Sequence, residues 1–256
     1  MRTVLSLLCL TLVLPDAHAQ EHAKRRLLVA GGGALPEQVW NMFIQMGGGT
    51  NKQFLVVPHA SARENAGDRI VERLSELGVR HTSILDLNSP QHAKNAIRQA
   101  DAIWFGGGSQ SRLIEALDNA KVSGLIRERA RAGVAIGGSS AGAAVQSDLM
   151  IAGDTLPIAR GLALWPEVIV DQHFVARKRF NRSLRTIMDH PTKLGIGIDE
   201  GTAALVGEKS FTVIGDSTIT VIDARKATRI SPGKTNSWRD IRIHWLHSGE
   251  EFKFEK

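Results

Sequence analysis

Val134-Ala135-Ile136-Gly137-Gly138-Ser139-Ser140-Ala141-Gly142 is the stretch on which the fold turns. Its apolar, β-branched start reads as a strand. The strand runs straight into Gly138-Ser139-Ser140-Ala141-Gly142, a G-x-S-x-G sequence. Between a strand and a helix, that sequence is a nucleophile elbow: a strained turn lifts the serine hydroxyl clear of the backbone and tolerates only small neighbours. Gly138 and Gly142 fall where a side chain would collide with the sheet or the helix. The N–H of Ala141, at the helix start, then points to where an oxyanion would form. The competing explanations are a glycine-rich phosphate loop and a plain tight turn. A phosphate loop normally carries a lysine near the helix start, and none is present here.

Upstream of the elbow the chain alternates short apolar runs with helical patterns. Strands are read at Arg26–Ala30, Gln53–Val57, Thr82–Leu87 and Ala102–Phe105. Between them, Ile70, Val71, Leu74 and Leu77 share one helix face that stops at Gly78, Ser89-Pro90 opens a helix as N-cap and first residue, and a further helix near Val122–Ala132 stops at Gly133. Such alternation predicts an α/β fold: a three-layer sandwich with a mainly parallel sheet and helices on both faces. Sheets of this kind bind ligands at the carboxyl ends of their strands, and three of those ends carry glycine runs. After about Ile196 the pattern changes to short strands, Ile196–Ile198, Ala203–Val206, Phe211–Ile214 and Thr218–Ile222, read as antiparallel additions to the same domain.

A serine nucleophile needs a base, and the base an orienting acid. His173 ends the apolar run Val168-Ile169-Val170-Asp171-Gln172 and is placed at the sheet edge that carries Ser140; His59, after Val57-Pro58, is its rival. Glu200 follows the apolar Gly195–Ile198 run and is the candidate acid, because a carboxylate at such a place is costly without a partner. Asp171 and Asp199 compete with it. Gly106-Gly107-Gly108-Ser109-Gln110 can supply a second oxyanion donor, or be only a turn that needs positive φ. Arg177, Arg179, Arg182 and Arg185 form either a carboxylate clamp, since arginine presents a bidentate fork, or a solvated helix face.

The composition bounds the rest. With 256 residues and 43% apolar content, the chain supports a substantial core. Residues 1–19 read as a signal peptide: Arg2, an eleven-residue apolar run from Val4 to Leu14, and Ala17-His18-Ala19 as the cleavage site. That run is too short to span a bilayer, which takes about 20 residues, so export to a periplasm or beyond the cell is expected, without stable membrane insertion. Residues 20–256 then form one serine-peptidase domain. The only cysteine, Cys9, leaves with the leader, which excludes disulfides, thiolate metal sites and a cysteine nucleophile from the mature chain. No metal or cofactor is read from the sequence. Net charge is +6, but the basic residues are dispersed and tyrosine is absent, so nucleic acid is not an expected partner.

Four motifs make a family recognisable: Gly107-Gly108-Ser109-Gln110; Gly137-Gly138-Ser139-Ser140-Ala141-Gly142-Ala143; Asp171-Gln172-His173-Phe174 with Arg177, Arg179 and Arg182; and Gly197-Ile198-Asp199-Glu200-Gly201-Thr202-Ala203. From Leu27 to about Phe254 the chain resembles the cyanophycinase and dipeptidase E family of serine peptidases, with most of the look of its cyanophycinase branch. The resemblance implies a fold similar to class I glutamine amidotransferases, with serine in place of their cysteine. It implies Ser140 as nucleophile, His173 as base and Glu200 as acid, with Gly108 and Ala141 as the oxyanion hole. Gln110, Asp171, Gln172, Arg177, Arg179 and Arg182 would line the substrate pocket. The implied substrate is a polypeptide rich in aspartate and arginine: cyanophycinases release β-aspartyl-arginine from cyanophycin, a polyaspartate with arginine on each side chain, whereas the dipeptidase branch cleaves after an N-terminal aspartate. A homodimer is compatible with this reading. Two positions depart from the pattern, Ser109 where those cyanophycinases commonly carry aspartate and Ser139 where they carry threonine.

Overall fold

Leu27-Leu28-Val29-Ala30 is apolar at every position, as a strand covered on both faces must be, and it forms β1 (Leu27–Ala30), buried throughout. The computed structural model describes residues 25–153, 158–230 and 237–254, so the signal peptide read over 1–19 lies outside the described residues. Behind β1 come α1 (Glu37–Met46), β2 (Gln53–Val57), α2 (Ala66–Glu76), β3 (His81–Ile84), α3 (Pro90–Gln99), β4 (Ala102–Phe105), α4 (Gln110–Asn119), α5 (Ser123–Arg131), β5 (Ala135–Ser139) and the single turn α6 (Ala141–Ala144). The second half holds β6 (Leu149–Ile151), β7 (Ile158–Arg160), β8 (Val168–Gln172), α7 (Phe180–Asp189), β9 (Leu194–Ile198), β10 (Thr202–Val206), β11 (Ser210–Gly215), β12 (Ile219–Asp223), β13 (Thr228–Arg229), β14 (Trp238–Arg239), β15 (Arg242–Leu246) and β16 (Glu251–Lys253).

The main sheet has the order β16-β11-β10-β1-β5-β4-β2-β3. Strands β1 to β5 pair in parallel, and β10, β11 and β16 extend the β1 edge in antiparallel fashion. Handedness explains which face each helix takes. From β1 to β2 to β3 the chain travels one way across the sheet, and from β3 through β4 to β5 it returns; a right-handed crossover must put the outward and return helices on opposite faces. Accordingly Val39, Trp40 and Phe43 of α1 and Leu74 of α2 pack with Leu28, Val56 and Trp104 on one face. Ile97 of α3, Leu113 of α4 and Ile126 of α5 pack with Val29, Ile103 and Phe105 on the other. The expected helix–sheet–helix layering is what forms.

The late strands divide between two sheets: Ala203–Val206 and Phe211–Ile214 fall in β10 and β11 of the main sheet, whereas β9 and β12 do not join it. They belong to a second, four-stranded sheet of order β15-β12-β9-β8, in which β8 and β9 run parallel. The cause is the crossover through α7, whose Ile187 packs with Ile169 and Ile222 and carries the chain from β8 back beside it as β9. The other face of this sheet, with Val170, Ile196 and Val221, joins the core beneath the main sheet. The third predicted strand also ends earlier than expected, at Ile84. Among the described residues no helix is long and apolar enough to cross a membrane.

Candidate active site

The elbow forms as the spacing requires. Ser140 sits at φ 56°, ψ −113°, a conformation that costs a side-chain-bearing residue about 1–3 kcal/mol. Three hydrogen bonds hold it there: its N–H donates to the Ala30 carbonyl at 3.0 Å, and its carbonyl accepts from Ala143 at 3.0 Å and Ala144 at 3.1 Å. A Cβ at Gly142 would stand 2.2 Å from the Phe105 carbonyl of β4, and one at Gly138 would stand 2.3 Å from the Gly142 carbonyl. Both glycines are therefore steric necessities of the turn.

His173 reaches the serine from the end of β8, across from the second sheet. It does not share the strand edge of Ser140, as the sequence suggested. Its Nε2 lies 2.8 Å from Ser140 Oγ and its Nδ1 2.6 Å from Glu200 Oε1. With the Nδ1 proton donated to the carboxylate, Nε2 is left to accept from the hydroxyl. The glycine run after β1 makes room for this. Gly32 has φ 113°, and a Cβ on it would lie 2.3 Å from Cε1 of the His173 ring. Backbone bonds then stitch the two sheets together at this point, from His173 N–H to the Gly31 carbonyl (2.9 Å) and from Gly201 N–H to the Gly32 carbonyl (3.0 Å). Strand ends from both sheets thus converge on one hydroxyl.

The rival residues are placed elsewhere. His59 follows β2 and has no hydrogen bond to Ser140; its Nδ1 is buried without a partner among the described residues. Asp199 is the buried carboxylate at the end of β9, while Glu200 keeps 44% of its side chain exposed. The desolvation argument that drew attention to Glu200 therefore applies to its neighbour. Asp199 spends its oxygens on the turn that carries His173, accepting from the N–H groups of Val175 (3.1 Å) and Ala176 (3.0 Å) and from the Ser217 hydroxyl (3.1 Å). That role was not legible in the sequence.

Burial holds the His173 imidazole below its ordinary pKa of 6.5; the Glu200 hydrogen bond opposes this, and the cations of Arg177 and Arg179 add to the lowering. Protonation would consume the base, so the acid limb of kcat/KM is expected to have its midpoint below 6.5. Arg177→Gln removes a cation that disfavours the imidazolium, so the limb should move toward higher pH, and less so at high salt because Arg177 is exposed. A pH–rate profile of both proteins checks this; an unmoved limb at low salt would contradict it.

Beside Ser140 lies a cavity of about 390 Å³ whose lining includes Gly108, Gln110, Gln172, Arg177, Arg179 and Arg182. Gly108, at φ 143°, cannot carry a side chain: its Cβ would meet the Ala60 carbonyl at 2.1 Å. The N–H groups of Gly108 and Ala141 have no backbone acceptor outside their own elements among the described residues. Gly108 lines the cavity together with Ser140, and Ala141 follows the serine as the first residue of α6. Gln110 is buried and donates to the Ile151 carbonyl at 3.1 Å.

Asp171 is displaced from its expected place in the pocket lining. It is 1% exposed, beneath the cavity. Its carboxylate accepts from Arg182 through both the Nε (2.8 Å) and Nη2 groups, from Arg179 (3.4 Å) and from the Ser183 hydroxyl (2.6 Å). Arg179 also donates to the Gln172 carbonyl at 2.7 Å. The arginine run is thus neither a plain solvated face nor a set of loose cations. Two of its members are oriented from below by a buried acid, whereas Arg177 lies in an exposed turn and Arg185 is exposed on α7. Ser183, which helps to hold that acid, gave no signal in the sequence.

Comparison with known proteins places the chain in a family. The model of peptidase family S51 matches residues 27–214. The chain is 33% identical to the cyanophycinase of Geminocystis herdmanii, over 91% of this chain and 95% of that protein. It is 32% identical to the cyanophycinase of a Nostoc species, over 93% and 88% respectively. Among solved structures, a peptidase from an acI-B1 Actinobacterium superposes with a TM-score of 0.69 at 24% identity, covering 91% of this chain and 98% of that one.

Proposed function

The chain belongs to peptidase family S51 and is a serine-type peptidase, and from that premise we propose that it is an exopeptidase releasing β-aspartyl-arginine from cyanophycin through a Ser140–His173–Glu200 triad and an acyl-enzyme. The observation that carries this is the continuous chain from Glu200 Oε1 to His173 Nδ1 and from Nε2 to Ser140 Oγ, at 2.6 and 2.8 Å. In the proposed reaction Ser140 Oγ attacks the scissile carbonyl as His173 Nε2 takes its proton. The oxyanion is received by the N–H groups of Gly108 and Ala141. The C–N bond then breaks, and His173 returns the proton to the leaving nitrogen. A water, deprotonated by the same imidazole, hydrolyses the ester and frees Ser140. Incubation with purified cyanophycin and mass analysis of the products tests the reading. β-Aspartyl-arginine is the expected product, and release of free arginine, or of nothing, would overturn it.

The arginine cluster supports the substrate class. Cyanophycin presents carboxylates along its length, and Arg179 and Arg182 line the cavity beside Ser140 with their forks fixed by Asp171. Arg179→Lys keeps the charge and loses the fork. We expect kcat/KM on β-aspartyl-arginine oligomers to fall about tenfold, corresponding to about 1.4 kcal/mol, chiefly through KM; an unchanged KM would remove the arginine from substrate binding. Ser109 favours keeping a second reading, an aspartyl dipeptidase of the same family, because it lines the cavity where those cyanophycinases commonly carry an acid. Relative rates on cyanophycin and on aspartyl dipeptides separate the two. Export with cleavage near Ala19, and one catalytic domain over 20–256, complete the proposal.

A further inference from the structure

Two cavities open on either side of the Gly107-Gly108 backbone, and Gly108 lines both. The larger, about 770 Å³, starts at Gly33, Gly107 and Ser139 and runs outward along α2. Only glycine backbone separates it from the nucleophile, since a Cβ at Gly107 would lie 3.4 Å from Cβ of Ser140. A chain whose scissile carbonyl rests on Ser140 Oγ continues in both directions from that carbon. The smaller cavity takes one direction, and the larger is the open space on the other side. Its floor is apolar, with Trp40 and Trp104 in contact at 4.4 Å between centroids and their planes tilted by 34°. Its rim carries charges of both signs. Arg73 and Glu76 pair with each other at 3.0 Å, whereas Arg63, Arg69 and Glu72 are exposed and make no ion pair among the described residues. A helix face of alternating charge is ordinarily just solvated; this one borders a cavity whose lining reaches Gly107 and Ser139, next to the nucleophile.

We infer that the larger cavity holds the part of the polymer that stays beyond the scissile bond, with Arg63 and Arg69 facing its carboxylates and Glu72 its guanidinium groups. This rests on the proposed function. An arginine linked through its α-amino group to a polyaspartate presents a carboxylate and a guanidinium together, so a rim of mixed sign suits it better than a rim of one sign.

The test compares kcat/KM on long cyanophycin with kcat/KM on the shortest β-aspartyl-arginine oligomer that is cleaved. The wild type is expected to prefer the long chain. Arg63→Glu combined with Arg69→Glu should reduce that preference about tenfold; both sites are exposed, and circular dichroism confirms that the variant is folded. In a second measurement, long cyanophycin added to the Ser140→Ala protein should change the tryptophan emission, and free β-aspartyl-arginine should not. Equal losses on long and short substrates, or equal emission changes from polymer and dipeptide, would overturn the inference while leaving the proposed function intact. Failure of the wild type to cleave cyanophycin at all would instead overturn the proposed function, and this inference with it.

Discussion

Ser140→Ala is expected to lower the hydrolysis rate by about 10⁶, the cost of losing a nucleophile that acts as one unit with its base. The fold should survive, because only an oxygen is removed and the backbone bonds that hold residue 140 at φ 56° do not involve the side chain. Circular dichroism and the melting temperature report on the fold, and steady-state rates on the chemistry. A folded Ser140→Ala protein within about tenfold of wild type, roughly 1.4 kcal/mol in the barrier, would remove Ser140 from the mechanism. Residual activity above the uncatalysed rate is expected, since the Gly108 and Ala141 donors remain in place.

His173→Ala should be nearly as damaging, again about 10⁶, because the serine then has no acceptor for its proton. Combined with Ser140→Ala it should add almost nothing, as two parts of one unit behave. Glu200→Gln should cost less, about 10⁴ or below: in the proposed triad the half-exposed Glu200 orients the imidazole and stabilises its cation without exchanging protons itself. Asp171→Asn is the discriminating control. Its carboxylate holds Arg179, Arg182 and Ser183, so its loss should raise KM. If a folded Asp171→Asn protein instead lost more kcat than Glu200→Gln, the orienting acid has been misassigned.

Much of the first half of the fold is legible because parallel strands covered on both faces must be apolar throughout, as Leu27–Ala30 and Ala102–Phe105 are. Two helices, α1 and α4, fall outside the helical patterns read from the sequence. Val39, Trp40, Phe43 and Ile44 of α1 form a buried stripe at helical spacing, and Ser109 caps α4, its hydroxyl accepting from the Arg112 N–H at 3.3 Å. Those signals are in the sequence, masked by the glycine-rich loops that precede both helices. The split into two sheets is not in the sequence, because an isolated five-residue apolar run carries no record of which neighbour it pairs with. The site shows the same division. Ser140, His173 and Glu200 stand at the ends of readable strands, so their meeting follows from the fold. The roles of Asp199 and Asp171 depend on which carboxylate points inward, and a pair such as Asp199-Glu200 gives no sign of that until the turn is built.

The most direct test of the central claim is where a serine-directed fluorophosphonate attaches. Peptide mass mapping of the labelled protein is expected to place one adduct on Ser140, with labelling greatly slowed in His173→Ala and slowed to a lesser degree in Glu200→Gln. An adduct on another serine, or labelling of Ser140 that proceeds equally well without His173, would contradict the account.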